Sequence, residues 1–202
     1  MSSTRSGRVA LLSLICALPL AAVAHTGVDG AAHHHGFATG FLHPLTGADH
    51  LAAMVAVGLW SALAARRAWP DLLWAPLGFA AMLLAGALAG LAGVQLPGVE
   101  PMIAASLLVL GLLVVTRWRL PGFAAAALVG VFAVFHGVAH GYELAGESDA
   151  ALTLAGMLSA TLLLHVGGIA LGWALRHSNV WLPRIAGAAV ALLGAALLAG
   201  VA

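Results

Sequence analysis

The chain has 202 residues, of which 62% are hydrophobic and 7% charged, with a formal net charge of +1. A soluble domain carries about 25% charged residues to coat its surface, so a water-facing globule is excluded, and the near-neutral balance offers nucleic acid no basic face. The basic residues are all arginine and number 8, few enough to be followed one by one.

Residues 1–24 read as a signal peptide. Arg5 and Arg8 form a basic start, Val9 to Ala21 an apolar stretch, and Ala22-Val23-Ala24 a small-x-small cleavage site. The alternative is an uncleaved first transmembrane helix, for which the run is short against the roughly 20 apolar residues a span needs. Cys16, the one cysteine, lies inside this segment, so a mature chain beginning at His25 has no thiol for disulfides or thiolate metal sites. Residues 25–40 form a periplasmic N-terminal segment in which His25, His33, His34 and His35 either capture divalent metal or sit in a solvated tail.

Apolar runs then predict an all-α membrane bundle over residues 41–202, with six transmembrane helices near 41–65, 71–94, 100–116, 121–144, 150–175 and 180–201. Pro70, Leu96-Pro97-Gly98, Leu120-Pro121-Gly122, Gly146 to Asp149 and Ser178-Asn179 punctuate them. Arg66 and Arg67, Arg117 and Arg119, and Arg176 and Arg184 flank the breaks after the first, third and fifth spans. The other loops carry only Glu100, Glu147 and Asp149. The positive-inside rule makes the Arg-bearing loops cytoplasmic and both mature termini periplasmic, in the inner membrane. Trp60, Trp69, Trp74, Trp118, Trp173 and Trp181 fall near the same cytoplasmic ends, where indoles favour the interface. Gly86/Gly90, Gly137/Gly141 and Gly168/Gly172 are spaced for close helix approach, although glycine is also common in membrane helices generally.

Ionisable side chains inside a span cost roughly 2.5–3.5 kcal/mol on insertion scales and are functional candidates. The first cluster opens span 1 with His43, Asp49 and His50. On a regular helix His43 and His50 lie about 20° apart and share a face, while Asp49 projects elsewhere. Pro44 and Gly47 are able to loosen that turn and let Asp49 swing toward the histidines. The second cluster closes span 4 with His136, His140 and Glu143, whose i, i+4, i+7 spacing puts two imidazoles and a carboxylate on one face. Counting about 1.5 Å per residue from the cytoplasmic ends sets His50 and His136 both at ~22 Å, and His43 and Glu143 both near ~33 Å. The two halves are therefore level, and form one site if spans 1 and 4 are neighbours. His165, alone in span 5, either relays an ion inward or bonds a neighbouring helix. Glu100 either lines an entrance or favours a helix N-terminus. Nitrogen and oxygen ligands without sulfur suit Ni, Co, Zn or Mn over Cu(I).

The segments HPLTGADHLAAMVAVGLWSA and FHGVAHGYE, with the signal peptide, the His-bearing mature start and six spans, resemble the HupE/UreJ family over essentially the whole mature chain. The resemblance implies a permease for nickel, in some members cobalt, that supplies hydrogenase or urease maturation. It implies no permanently bound cofactor and no enzymatic activity, and it matches His43, Asp49 and His50 to the first motif and His136, His140 and Glu143 to the second. The expected partners are the divalent ion, the bilayer and, indirectly, the client maturation system; a homo-oligomer is left open. The rival is a membrane zinc hydrolase on the same ligands, for which the chain lacks an H-E-x-x-H motif. A bis-histidine haem protein built on His50 and His136 is a third reading.

Overall fold

The computed structural model describes residues 36–65 and 70–201. The signal peptide, His25, His33, His34, His35, Arg66, Arg67 and Trp69 lie outside the described residues. Among the described residues the chain is all-helical: α1 Phe37–Thr46, α2 Ala48–Ala64, α3 Asp71–Leu91, α4 Val99–Thr116, α5 Gly122–Glu143, α6 Ala150–Leu175 and α7 Trp181–Leu198. Of these, 5 (α3 to α7) are long and apolar enough to cross a membrane, and up to 6 spans result if α1 and α2 count as one. Leu77, Leu88, Phe123, Val131, Leu163, Val166, Ile185 and Leu192 are exposed along α3, α5, α6 and α7. An apolar outer surface of this kind needs lipid rather than water. The chain is a multi-pass membrane protein.

The helices pack chiefly in pairs: α3 with α5, α4 with α7, and α6 with both α1 and α2. Backbone contact through glycine makes this possible. A Cβ on Gly137 or Gly141 of α5 would run into the carbonyl oxygens of Leu83 and Ala87, while Gly86 and Gly90 of α3 meet Val134 and Val138 in return. Gly168 of α6 meets Val55 of α2 in the same way, and Gly172 packs on Ala62 and Leu59. All three glycine pairs singled out in the sequence are thus contact surfaces. α2 sits at the centre, buried almost all round from Ala53 to Leu63, with Phe79, Leu83, Leu107, Leu110, Val114 and Val129 packed about it.

Proline is accommodated where its missing N–H matters least. Pro101 and Pro183 occupy first turns, where no intrahelical bond is lost. Pro76 lies inside α3 and deprives the Leu72 carbonyl, four residues back, of its donor. The Ser61 hydroxyl of α2 donates to that carbonyl at 2.5 Å. At the same end the Trp60 indole N–H donates to the Trp118 carbonyl at 2.9 Å. α3 stops at Leu91 rather than 94, because Gly93 at φ 86 turns the chain and the Val94 N–H returns to the Ala89 carbonyl.

The expected first span is not one helix. Helix formation starts at Phe37 and breaks at Gly47, whose extended backbone (φ −76, ψ 116) separates α1 from α2 by an 81° bend. Pro44, in the last turn of α1, withdraws a donor just before the break. α1 also runs counter to α6, with Phe37 beside Gly156 and Gly40 beside Thr153, whereas α2 runs in the same direction as α6. The depth of ~33 Å obtained for His43 by counting along a straight helix therefore does not hold.

Candidate metal centre

The break is what assembles the centre. His43 sits in the last turn of α1 and His50 in the first turn of α2, on either side of Gly47. Their rings meet edge to face with centroids 5.4 Å apart. His140 of α5 reaches between them, 4.7 Å from each ring centroid. One nitrogen from each of His43, His50 and His140 lies within 4.8 Å of the others. The backbones of α2 and α5 are not a closely packed pair; the imidazoles themselves span the gap.

Asp49 does not project away. Its Oδ1 accepts both the His50 backbone N–H at 2.8 Å and the His50 ring Nδ1 at 2.9 Å. A carboxylate accepts, so Nδ1 carries the proton and Nε2 presents its lone pair to the centre. The Nε2 atoms of His50 and His140 are 2.8 Å apart, so one proton is shared between them. A divalent ion that binds here takes that proton's place. His140 Nδ1 lies 3.7 Å from Glu143 Oε2, ready to shift its proton to that side when Nε2 becomes a ligand. Carboxylates behind histidines fix ring orientation and raise basicity. Glu143 is 62% exposed and marks the open side of the cluster.

His136 departs from the expected half-site. It is fully buried and stacks one step beyond the cluster, 5.1 Å from His50, outside the group of three. Ser106 of α4 explains its position. The Ser106 hydroxyl donates to the Ile103 carbonyl at 2.6 Å, so its oxygen accepts from His136 Nε2 at 3.2 Å. His136 Nδ1 is left as a buried lone pair without a partner. Ser106 was not read from the sequence, although a hydroxyl in the middle of an apolar span was the available signal. Glu100 lies exposed in the first turn of α4 and is not part of the histidine group. His165 is 1% exposed, and among the described residues neither ring nitrogen has a hydrogen-bond partner.

The family profile described as HupE / UreJ protein matches residues 12–197. The chain belongs to the HupE/UreJ family. Protein HupE of Rhizobium leguminosarum bv. viciae is 44% identical over 187 residues, which cover 91% of this chain and 93% of that protein. No solved structure matches the chain.

Proposed function

We propose that this HupE/UreJ protein is a nickel permease, with cobalt as a second cargo, that imports the ion across the bacterial inner membrane for hydrogenase or urease maturation. The observation that carries the reading is the convergence of His43, His50 and His140, with ligand atoms within 4.8 Å of one another and two carboxylates behind them. Three neutral imidazoles suit a borderline divalent ion. Nickel over cobalt follows from the family resemblance.

In this reading α2 is the first of six spans, with α1 folded back beside α6 ahead of it, the Arg-bearing ends face the cytoplasm, and the mature N-terminus faces the periplasm. His25, His33, His34 and His35 collect the ion there. Ni²⁺ sheds water as it passes Glu143 and enters the cluster, where it displaces the proton shared by His50 and His140. Asp49 holds the His50 ring in its ligating tautomer and offsets the ion's charge. The site transfers cargo and performs no reaction on it.

The test is ⁶³Ni uptake into cells, with Co²⁺ and Zn²⁺ as competitors. Wild type accumulates nickel, Co²⁺ competes more strongly than Zn²⁺, and His50→Ala and His140→Ala abolish accumulation at unchanged protein level. Normal accumulation in both variants sinks the assignment.

A further inference from the structure

We propose a second, inner stop for the cargo ion, formed by His165 with Thr161 and Met54, on the route from the three-histidine centre toward the Arg-rich end. The proposal rests on the permease reading and deepens it. Three independent features carry it.

The first is His165 itself. It is 1% exposed in the middle of α6, and both ring nitrogens lack a partner. Buried polar groups are almost always satisfied, and an exception calls for an occupant or a use. The second is a ladder of donors that descends from the outer centre. Met54 lies four residues after His50 on α2, one turn farther in on the same face. Thr161 of α6 donates its hydroxyl to Met54 Sδ at 3.3 Å, and His165 lies one turn beyond Thr161 on its face. Each rung is ~6 Å along a helix axis. Met54, Thr161 and His165 are all essentially inaccessible, and the backbones of α2 and α6 touch where Gly58 meets His165.

The third is space. A narrow cavity of about 20 Å³ touches His140, Met54 and Thr161 and is otherwise walled by apolar side chains such as Leu83, Leu154 and Leu158. It joins an outer ligand, His140, to the Met54–Thr161 pair across a mainly apolar gap. The Phe79 ring stands between the two levels, 5.8 Å from His136 and 5.4 Å edge-on from His165. Below, a larger cavity of about 280 Å³ opens among Trp60, Ser61, Asp71, Arg119 and Pro121. Ser61 is one turn past Gly58, so an ion released by His165 lies one turn from that chamber. The inner donor set is one imidazole, one thioether and one hydroxyl, weaker than the outer three imidazoles. That suits a transit stop for a borderline-to-soft divalent ion, since an ion held too firmly would not leave.

The experiment compares His165→Ala and His165→Leu in the full chain, with ⁶³Ni uptake by cells and ⁶³Ni equilibrium binding to the purified protein. Alanine opens space and leucine fills it, so a packing role and a ligand role separate. The inference expects both variants to lose uptake at least tenfold at normal membrane level, while outer-site affinity stays within twofold of wild type. Uptake by the leucine variant within twofold of wild type overturns it. Loss of nickel binding in both variants also overturns it, by showing that His165 only supports the outer site. If wild type itself neither binds nor takes up nickel, the permease reading fails and this inference with it; normal wild-type uptake beside a normal leucine variant removes the inner stop alone.

Discussion

Asp49 is the residue whose replacement separates orientation from charge at the centre. Its Oδ1 accepts the backbone N–H and ring Nδ1 of His50, at 2.8 and 2.9 Å. Asparagine keeps an oxygen that accepts both bonds but removes the negative charge. Alanine removes both bonds, so the His50 ring is free to rotate or change tautomer. Partners behind metal-binding histidines are worth about 10- to 100-fold in affinity. Asp49 is 33% exposed, and water screens part of its charge. The Asp49→Asn loss therefore belongs at the low end, about tenfold or ~1.4 kcal/mol, and the Asp49→Ala loss near the high end, about 100-fold or ~2.7 kcal/mol. Equilibrium dialysis of purified protein against ⁶³Ni measures both. Asp49→Ala binding within twofold of wild type refutes the assignment of His50 as an oriented ligand; equal losses in the two variants put the whole effect on charge.

Three further outcomes follow from the packing and the chemistry. Gly141→Leu drives a side chain into the Ala87 carbonyl, separates α3 from α5, and carries His140 away. Overpacking of this kind costs about 1–3 kcal/mol. Thermal unfolding in detergent is expected to show a lower Tm with nickel binding lost, against Gly167→Ala, which meets nothing, as an unchanged control. Ser61→Ala leaves the Leu72 carbonyl, already stripped of its helical donor by Pro76, unpaired at a cost of about 1–3 kcal/mol. In a Pro76→Ala background the helix supplies the N–H again, so the serine change becomes nearly neutral; a full penalty in both backgrounds contradicts the pairing. Nickel binding weakens on acidification, because protonated rings do not ligate, and it levels off once the rings are neutral. A binding curve that stays flat down to the pH at which the protein unfolds counts against imidazole ligands.

Much of the molecule was legible in its residues. Helix number and boundaries for α3 to α7 followed from apolar runs and from Pro and Gly punctuation, because lipid forces every backbone group into helix and leaves little choice. The glycine pairs were legible only as one of two equal readings, since glycine is common in membrane helices, and the backbone contacts decide for contact surfaces. The site residues were found because charge and imidazole are rare in such helices, but their grouping was not. A wheel assumes a straight axis. Pro44 and Gly47 marked where the first span loosens, yet a bend of 81° depends on how α1 lies against α6, which no local pattern encodes. The same break restarts the helix at Ala48, which leaves the first-turn His50 N–H free to take the Asp49 carboxylate as its acceptor. His136 shares a face with His140 but sits one turn, ~6 Å, along α5 from it, where it meets the Ser106 hydroxyl of another helix rather than the group of three. Met54 and Thr161 were invisible because a thioether and a hydroxyl are ordinary in a core until something polar lies next to them.

The most direct measurement is nickel influx into proteoliposomes that contain only the purified chain and a trapped nickel-sensitive dye. The account predicts saturable influx with wild type and rates no greater than those of protein-free liposomes with His50→Ala or His140→Ala. Influx by these variants equal to wild type, or none by correctly inserted wild type, contradicts it.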